Sequence, residues 1–299
     1  MLGAIEAGGT KFVCAVGDMD YNIVDLIEIP TTSPIETMEK VKEFFIQYNI
    51  QSLGIGSFGP ADINPSSPNY GCITNTPKEQ WKHFNIISFM KSTFNVPIVF
   101  DTDVNVAALG EAKFGASRNV NSSIYVTIGT GIGVGAVING EILQGISHPE
   151  MGHIFVRRHE KDHFAGCCPY HKDCLEGLAS GPAIEKRWGK KAVLLENNKE
   201  VWEIEGYYIA QALMTYILIL SPEKIILGGG VMKQRQLITI IYEYLKRLNN
   251  GYMSFSQLEE NISDYIVTPE LEGLSAIKGA FYLSKNNLYG NTELLSNLG

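Results

Sequence analysis

The chain has 299 residues, 45% of them hydrophobic, and 32 acidic side chains against 24 lysines and arginines, giving a net charge of −8 and a pI near 5.3. Such a composition supports two well-packed domains and excludes a disordered chain, and its acidity argues against a protein whose main work is gripping nucleic acid. No signal peptide or membrane-length apolar run stands out and the five cysteines are an odd number, so a reduced, cytoplasmic protein with no membrane partner is expected.

From the first residue, apolar or alternating runs at 2–7, 11–16 and 23–29 are separated by Gly8-Gly9-Thr10 and by the turn at 17–22, which predicts three antiparallel strands. A helical pattern follows at 35–48, then a buried strand at 53–57 ending in Gly59-Pro60, a helix at 84–94, a strand at 97–100 and a helix at 104–114. The same events recur from mid-chain. Strands at 123–128 and 132–138 flank Gly129-Thr130-Gly131, and Asn139-Gly140 makes a hairpin turn into 141–143. A long helix at 201–220, a buried strand at 224–227 ending in Gly228-Gly229-Gly230, a helix at 233–248, a strand at 265–267 and a helix at 273–283 complete the repeat. Two βββαβαβα domains are therefore expected, 1–117 and 118–299, with a metal-binding segment at 148–176 inserted in the second; the C-terminal helix, about 273–299, is a candidate to pack back on the first.

That inserted segment is rich in soft ligands. Cys168, His171 and Cys174 are spaced by three, and His153 lies fifteen residues upstream of the first, so two thiolates and two imidazoles are offered to one ion. This set suits tetrahedral Zn²⁺ and leaves it no open position, which predicts a structural ion. Accidental clustering of exposed histidines and cysteines is the alternative, and the regular spacing weighs against it. Cys167 is expected to pack rather than bind. Glu150 and Glu176 flank the ligands and would be aimed by the staple at a binding site.

The run from Gly131 to Gly135 has the glycine spacing of a dinucleotide loop but joins strand to strand, so no helix N-terminus follows it and a Rossmann oxidoreductase is excluded. Glycines in hairpins can be purely structural. Two such hairpins at equivalent places in two repeats instead suggest jaws that offer backbone N–H groups and hydroxyls to a polyphosphate, with Gly8, Gly9, Thr10 and Lys11 in one and Gly129, Thr130, Gly131 and Gly133 in the other. Gly228, Gly229 and Gly230 would let a base or ribose approach the backbone.

Asp101-Thr102-Asp103-Val104-Asn105 sits where a strand runs into a helix, a place where sites collect in open α/β sheets. One aspartate is expected as the helix cap, and Asp103 as the base that accepts a hydroxyl proton in phosphoryl transfer, with Asn105, Glu150 and Glu176 meeting sugar hydroxyls. Gly59-Pro60-Ala61-Asp62 and Asn75-Thr76-Pro77-Lys78 with Trp81 read equally well as loop punctuation or as substrate contacts, and Ser180-Gly181-Pro182 reads as ordinary helix-start grammar.

Taken together, Ala7-Gly8-Gly9-Thr10-Lys11, Asp101 to Asn105, Gly129-Thr130-Gly131-Ile132-Gly133, Glu150-Met151-Gly152-His153 and Cys168 to Gly177 make the chain resemble the ROK family of sugar kinases over nearly all its length. The Cys168-Pro169-Tyr170-His171 variant of the zinc loop resembles the family's fructokinase form. This resemblance implies an actin-like ATPase (ribonuclease H-like) fold, Mg-ATP as phosphoryl donor, and a hexose, fructose favoured, phosphorylated at its 6-hydroxyl. It also implies Asp103 as base, Asn105, Glu150, His153, Glu176 and Gly59 near the sugar, and structural zinc on His153, Cys168, His171 and Cys174. Nucleotide contacts are implied at Gly9, Thr10, Lys11, Thr130, Gly131, Pro182 and residues 228–230, and a homodimer as the assembly. Glu6 stands where many relatives carry Asp. Mannose, glucose or N-acetylmannosamine as acceptor, and a non-catalytic sugar sensor, are the alternatives; the family's repressors add a DNA-binding module for which this chain, starting on its first strand, is expected to have no room.

Overall fold

The computed structural model describes residues 1–296, with side chains through Tyr289. In its first half β1 (Leu2–Ala7), β2 (Lys11–Gly17) and β3 (Ile23–Pro30) form an antiparallel meander, followed by α1 (Pro34–Phe45), β4 (Ser52–Ser57), α2 (Ile86–Lys91), β5 (Ile98–Thr102) and α3 (Asp103–Phe114). The sheet order is β3-β2-β1-β4-β5, with β4 parallel to β1 and β5 parallel to β4. Parallel neighbours need a crossover, and the helical segments between the strands supply it. Every residue of β4 is buried, as expected of a strand covered on both faces. Phe12, Phe45 and Trp81 pack on one side of the sheet, and Val106, Ile277 and Phe281 on the other.

The second half repeats the plan. Here β6 (Ser123–Ile128), β7 (Ile132–Ile138) and β8 (Glu141–Ile142) form the meander, and the inserted segment leads to α4 (Leu175–Ala179) and α5 (Gly181–Trp188). Then come α6 (Lys199–Leu220), β9 (Lys224–Gly228), α7 (Arg235–Asn249), α8 (Ser256–Glu259), α9 (Ile262–Tyr265), β10 (Ile266–Val267) and α10 (Ser275–Ser296). The order β8-β7-β6-β9-β10 reproduces that of the first sheet strand for strand. Among the described residues no helix is long and apolar enough to cross a membrane.

The chain divides into two compact units. One comprises Met1–Arg118, Glu141–His148 and the chain from Glu270 onward; the other comprises Asn119–Gly140 and Pro149–Pro269. The sequence reading carried the second domain unbroken from residue 118, whereas segment 141–148 is grouped with the first unit, where Gln144 donates to Asp101 at 2.8 Å and His148 accepts from the Ala61 amide at 3.2 Å. The last three residues of the helix expected over 273–299 lie outside the described residues. Within the first unit α10 lies on α3, β1 and β4. It does so backbone to backbone: a Cβ on Gly110 would come 1.9 Å from the Ser275 carbonyl oxygen, and one on Gly279 1.9 Å from that of Val106.

Beside this crossing, the buried carboxylate of Glu111 in α3 collects the amides of Ala116 (2.7 Å), Glu270 (3.2 Å) and Leu271 (3.2 Å) and the Ser275 hydroxyl (2.6 Å). It thereby ties the chain leaving α3 to the chain entering α10. Removing the acceptor strands several buried donors, so Glu111→Ala should lower stability by about 3 kcal/mol and Glu111→Gln by less. Urea unfolding checks this, and a loss under about 1 kcal/mol for the alanine variant would show that the clasp is not needed.

Candidate functional site

In the first unit the site grows from the ends of β1 and β5. The hairpin joining β1 to β2 is closed by the Gly8 amide donating to the Lys11 carbonyl at 3.0 Å, and a Cβ on Gly8 would lie 2.6 Å from that oxygen, so no larger residue fits. Thr31 donates its hydroxyl to the Gly8 carbonyl at 2.8 Å. Gly9 and Thr10 lie at the hairpin's tip, and Lys11 pairs with Glu28 on β3.

The two aspartates at the start of α3 have different work. Asp101 is buried and accepts from the Thr102 amide (2.7 Å), Asn105 Nδ2 (2.7 Å) and Gln144 Nε2 (2.8 Å), so it organises its neighbours. Burial raises its pKa above the ordinary carboxylate value, against the pull of those donors. Asp103 accepts the Val104 amide at 2.9 Å and keeps partial access to solvent. Its carboxyl is pushed up to about 6 by the protein packed around it. The helix cap is Thr102, whose hydroxyl accepts from the Asn105 amide at 3.2 Å, and not an aspartate as the sequence suggested. A β-region residue with a short hydroxyl satisfies the cap and leaves both carboxylates for other partners. Asn105 is buried with one end of its amide committed to Asp101.

Glu6, the penultimate residue of β1, is pushed up to about 7 by burial and next by the negative charge of Asp103. Gly59 stands against His148, whose Cε1 would lie 3.5 Å from a Cβ placed there. Gln144 and His148, which brace Asp101 and the Gly59 loop, were missed in the sequence because both come from the repeat that follows and no local pattern marks them.

In the second unit the hairpin between β6 and β7 is joined to three neighbours. The Gly181 amide at the start of α5 donates to the Gly129 carbonyl at 2.8 Å, which places Pro182 beside the hairpin. A Cβ on Gly129 would lie 4.0 Å from the Gly230 amide nitrogen, so the turn after β9 closes on the same hairpin. Gly229 adopts φ of 92° with Ile128 backbone atoms within 2.3 to 2.7 Å of any added Cβ, and only glycine tolerates both. Thr130, Gly131, Pro182 and residues 228–230 are thus gathered in one unit, with Thr130 and Gly230 exposed.

The third neighbour is Glu176, whose Oε2 accepts the Ile132 amide at 2.9 Å; a Cβ on Gly131 would come 2.6 Å from that oxygen. Its Oε1 lies 3.9 Å from His153 Nε2. Glu150 is exposed and its carbonyl accepts the His153 amide at 3.0 Å.

One ligand atom each from His153, Cys168, His171 and Cys174 lies within 4.8 Å of the others. His153 Nδ1 is 3.4 Å from Cys174 Sγ and 3.7 Å from Cys168 Sγ, and His171 Nδ1 is 3.8 Å from Cys168 Sγ. Bonds of about 2.3 Å to sulfur and 2.0 Å to nitrogen put the corners of a zinc tetrahedron about 3.3 to 3.8 Å apart, so the four residues fit the ion. Cys167 stands outside this set, as expected. A buried cluster supports the loop from behind: Arg187 of α5 donates from Nε and Nη2 to Asp162 at 3.1 and 3.0 Å, and Tyr208 of α6 donates to the same carboxylate at 2.6 Å.

In the first unit a glycine hairpin and a carboxyl raised to about 6 lie at strand ends, and in the second a glycine hairpin, the start of α5 and the turn after β9 lie together. The chain belongs to the ROK family, whose model matches residues 2–287. A relative from Bacillus subtilis (strain 168) is 57% identical over 288 residues, 96% of each chain, and the fructokinase of Pediococcus pentosaceus is 47% identical over 285 residues, 95% of this chain and 98% of that one. The crystal structure of a ROK hexokinase from Thermus thermophilus, 22% identical, superposes with a TM-score of 0.79 over 96% of this chain and 99% of the other. The fold is the actin-like ATPase fold of these proteins, with its βββαβαβα plan used twice.

The ligand geometry predicts about one zinc per chain by elemental analysis, and Cys174→Ser should release it and open segment 165–174 to proteolysis while the chain stays folded. Metal-free protein purified without chelator would contradict the assignment.

Proposed function

We propose that the chain is an ATP-dependent fructokinase that converts D-fructose and ATP to fructose 6-phosphate and ADP. The near full-length identity to a named fructokinase carries the choice of sugar. Asp103 carries the chemistry: a carboxylate at a strand end, raised to about 6, can take a hydroxyl proton near neutral pH and still be ionised there. As the 6-oxygen attacks the terminal phosphorus, its proton passes to Asp103, the new O–P bond forms and the bond to the bridging oxygen of ADP breaks.

Asn105, fixed by Asp101, and Glu150, Glu176 and His153 are assigned to the sugar hydroxyls, with Gly59 admitting the ring. Gly9, Thr10, Lys11, Thr130, Gly131, Pro182 and residues 228–230 are assigned to ATP. Mg²⁺ is assigned as the companion of ATP, where it would neutralise phosphate charge. Zinc is assigned a structural part only, holding His153 and, through it, the Glu176 loop. We take the working unit to be a cytoplasmic homodimer, as the family resemblance implies.

Asp103→Asn should lower kcat by about 10² to 10⁴ with KM for both substrates changed only a few-fold. The parent's kcat/KM for sugar should fall about tenfold per pH unit below about 6, because only the ionised base accepts the proton, and the variant should lose that limb. In a coupled assay with Mg-ATP, fructose should exceed glucose in kcat/KM by about tenfold or more, since a site arranged for one ring leaves polar groups unpaired with the other. Equal rates with glucose would reject the fructose assignment, and ATP turnover independent of sugar would reject the kinase.

A further inference from the structure

The charge of Lys11, the cation of the hairpin at residues 8–11, is partly offset by its pairing with Glu28. A transferring phosphoryl group spreads negative charge over its outer oxygens, and a positioned cation offsets that charge better than amides alone. One lysine approaches the hairpin from another loop. The stem of Lys78 crosses Gly9 so closely that a Cβ there would stand 3.2 Å from Lys78 Cε. Lys78 Nζ has no hydrogen-bond or ion-pair partner among the described residues.

The loop carrying Lys78 is held at both ends. Thr74 donates its amide and its hydroxyl to the Pro60 carbonyl at 2.8 and 2.9 Å. The Lys78 amide donates to the buried Thr76 hydroxyl at 3.3 Å, and its carbonyl accepts the Trp81 amide at 2.8 Å. Trp81 is buried, donates Nε1 to the Thr32 carbonyl at 2.8 Å, and packs its ring against Phe12, 5.3 Å away in the strand that leaves the hairpin. Loop and hairpin therefore share one packed foundation. A lysine stem ordinarily loses much freedom when it is ordered, and here the backbone beneath it is already set.

We infer that Lys78 is a further catalytic residue, its ammonium contacting the terminal phosphoryl group of ATP above Gly9. This rests on the kinase reading. Lys78 neither gives nor takes a proton; it supplies charge where the phosphoryl oxygens gather it.

Lys78→Met and Lys78→Arg test the assignment through steady-state kinetics and through direct binding of AMP, ADP and a non-hydrolysable ATP analogue. Lys78→Met should lower kcat by about 10² and weaken the analogue about tenfold, with AMP and ADP held within about twofold and sugar binding retained. The arginine variant should recover a substantial part of both, since it keeps the charge. Analogue affinity and kcat within twofold of the parent would overturn the inference, as would equal loss of ADP and analogue, or a change confined to the KM for sugar. A parent that phosphorylates no hexose would reject the function proposed above, whereas the comparison of analogue with ADP needs no turnover and judges Lys78 by itself.

Discussion

The arrangement of the second unit depends on the contact between the carboxylate of Glu176 and the amide of Ile132, which joins two pieces of chain distant in sequence. One is the hairpin between β6 and β7; the other is the metal-binding insertion, whose last ligand, Cys174, lies two residues before Glu176. The approach needs Gly131 to lack a side chain and is reinforced where Gly152 lies against the Ile132 carbonyl, 1.8 Å from where its Cβ would be. A carboxylate accepting a backbone N–H makes a charge-assisted bond, stronger than a neutral one. Any displacement of the metal loop is therefore felt at the hairpin, and through the Gly181 amide at the start of α5.

An analogous economy operates at the start of α3. Two elements want acceptors there: the helix end and the Asn105 side-chain amide. Thr102 serves the first and Asp101 the second, and the Asp103 carboxylate accepts from the Val104 amide. Burial raises the pKa of Asp101 despite its three donors, and raises that of Asp103 to about 6. The two carboxylates, two residues apart, differ in partners because their side chains take different directions, which their spacing in sequence does not specify.

Much of the fold was legible because its signals are local. The strands at 123–128 and 132–138 were bounded by glycine turns, and Asn139-Gly140 adopts positive φ at both positions, 53° and 83°, as that dipeptide announces in a hairpin. Spacing by three pointed to the Cys/His cluster for the same reason. What escaped depends on distance along the chain. Gln144 and His148 act on Asp101 and Gly59 from far downstream, α10 meets α3 across glycines whose neighbours look ordinary, and Lys78 gains its meaning only from where Gly9 lies.

The buried Asp162, gripped by Arg187 and Tyr208, bears on how the Cys/His cluster would gain and lose an ion. The ligand loop leaves the body of its unit at Ile154 and Phe155, where it pairs with residues 174 and 175, and it is pinned again at Asp162. Chain between fixed points explores little volume, and the entropy of closing a loop grows with its length, so the thiols and imidazoles remain at high local concentration before any ion arrives. Binding of an ion there would then not have to drive folding, unlike in small zinc domains whose metal-free chains are unstructured. Ion exchange would be a local event, in which the knuckle opens and recloses on a scaffold that keeps its shape.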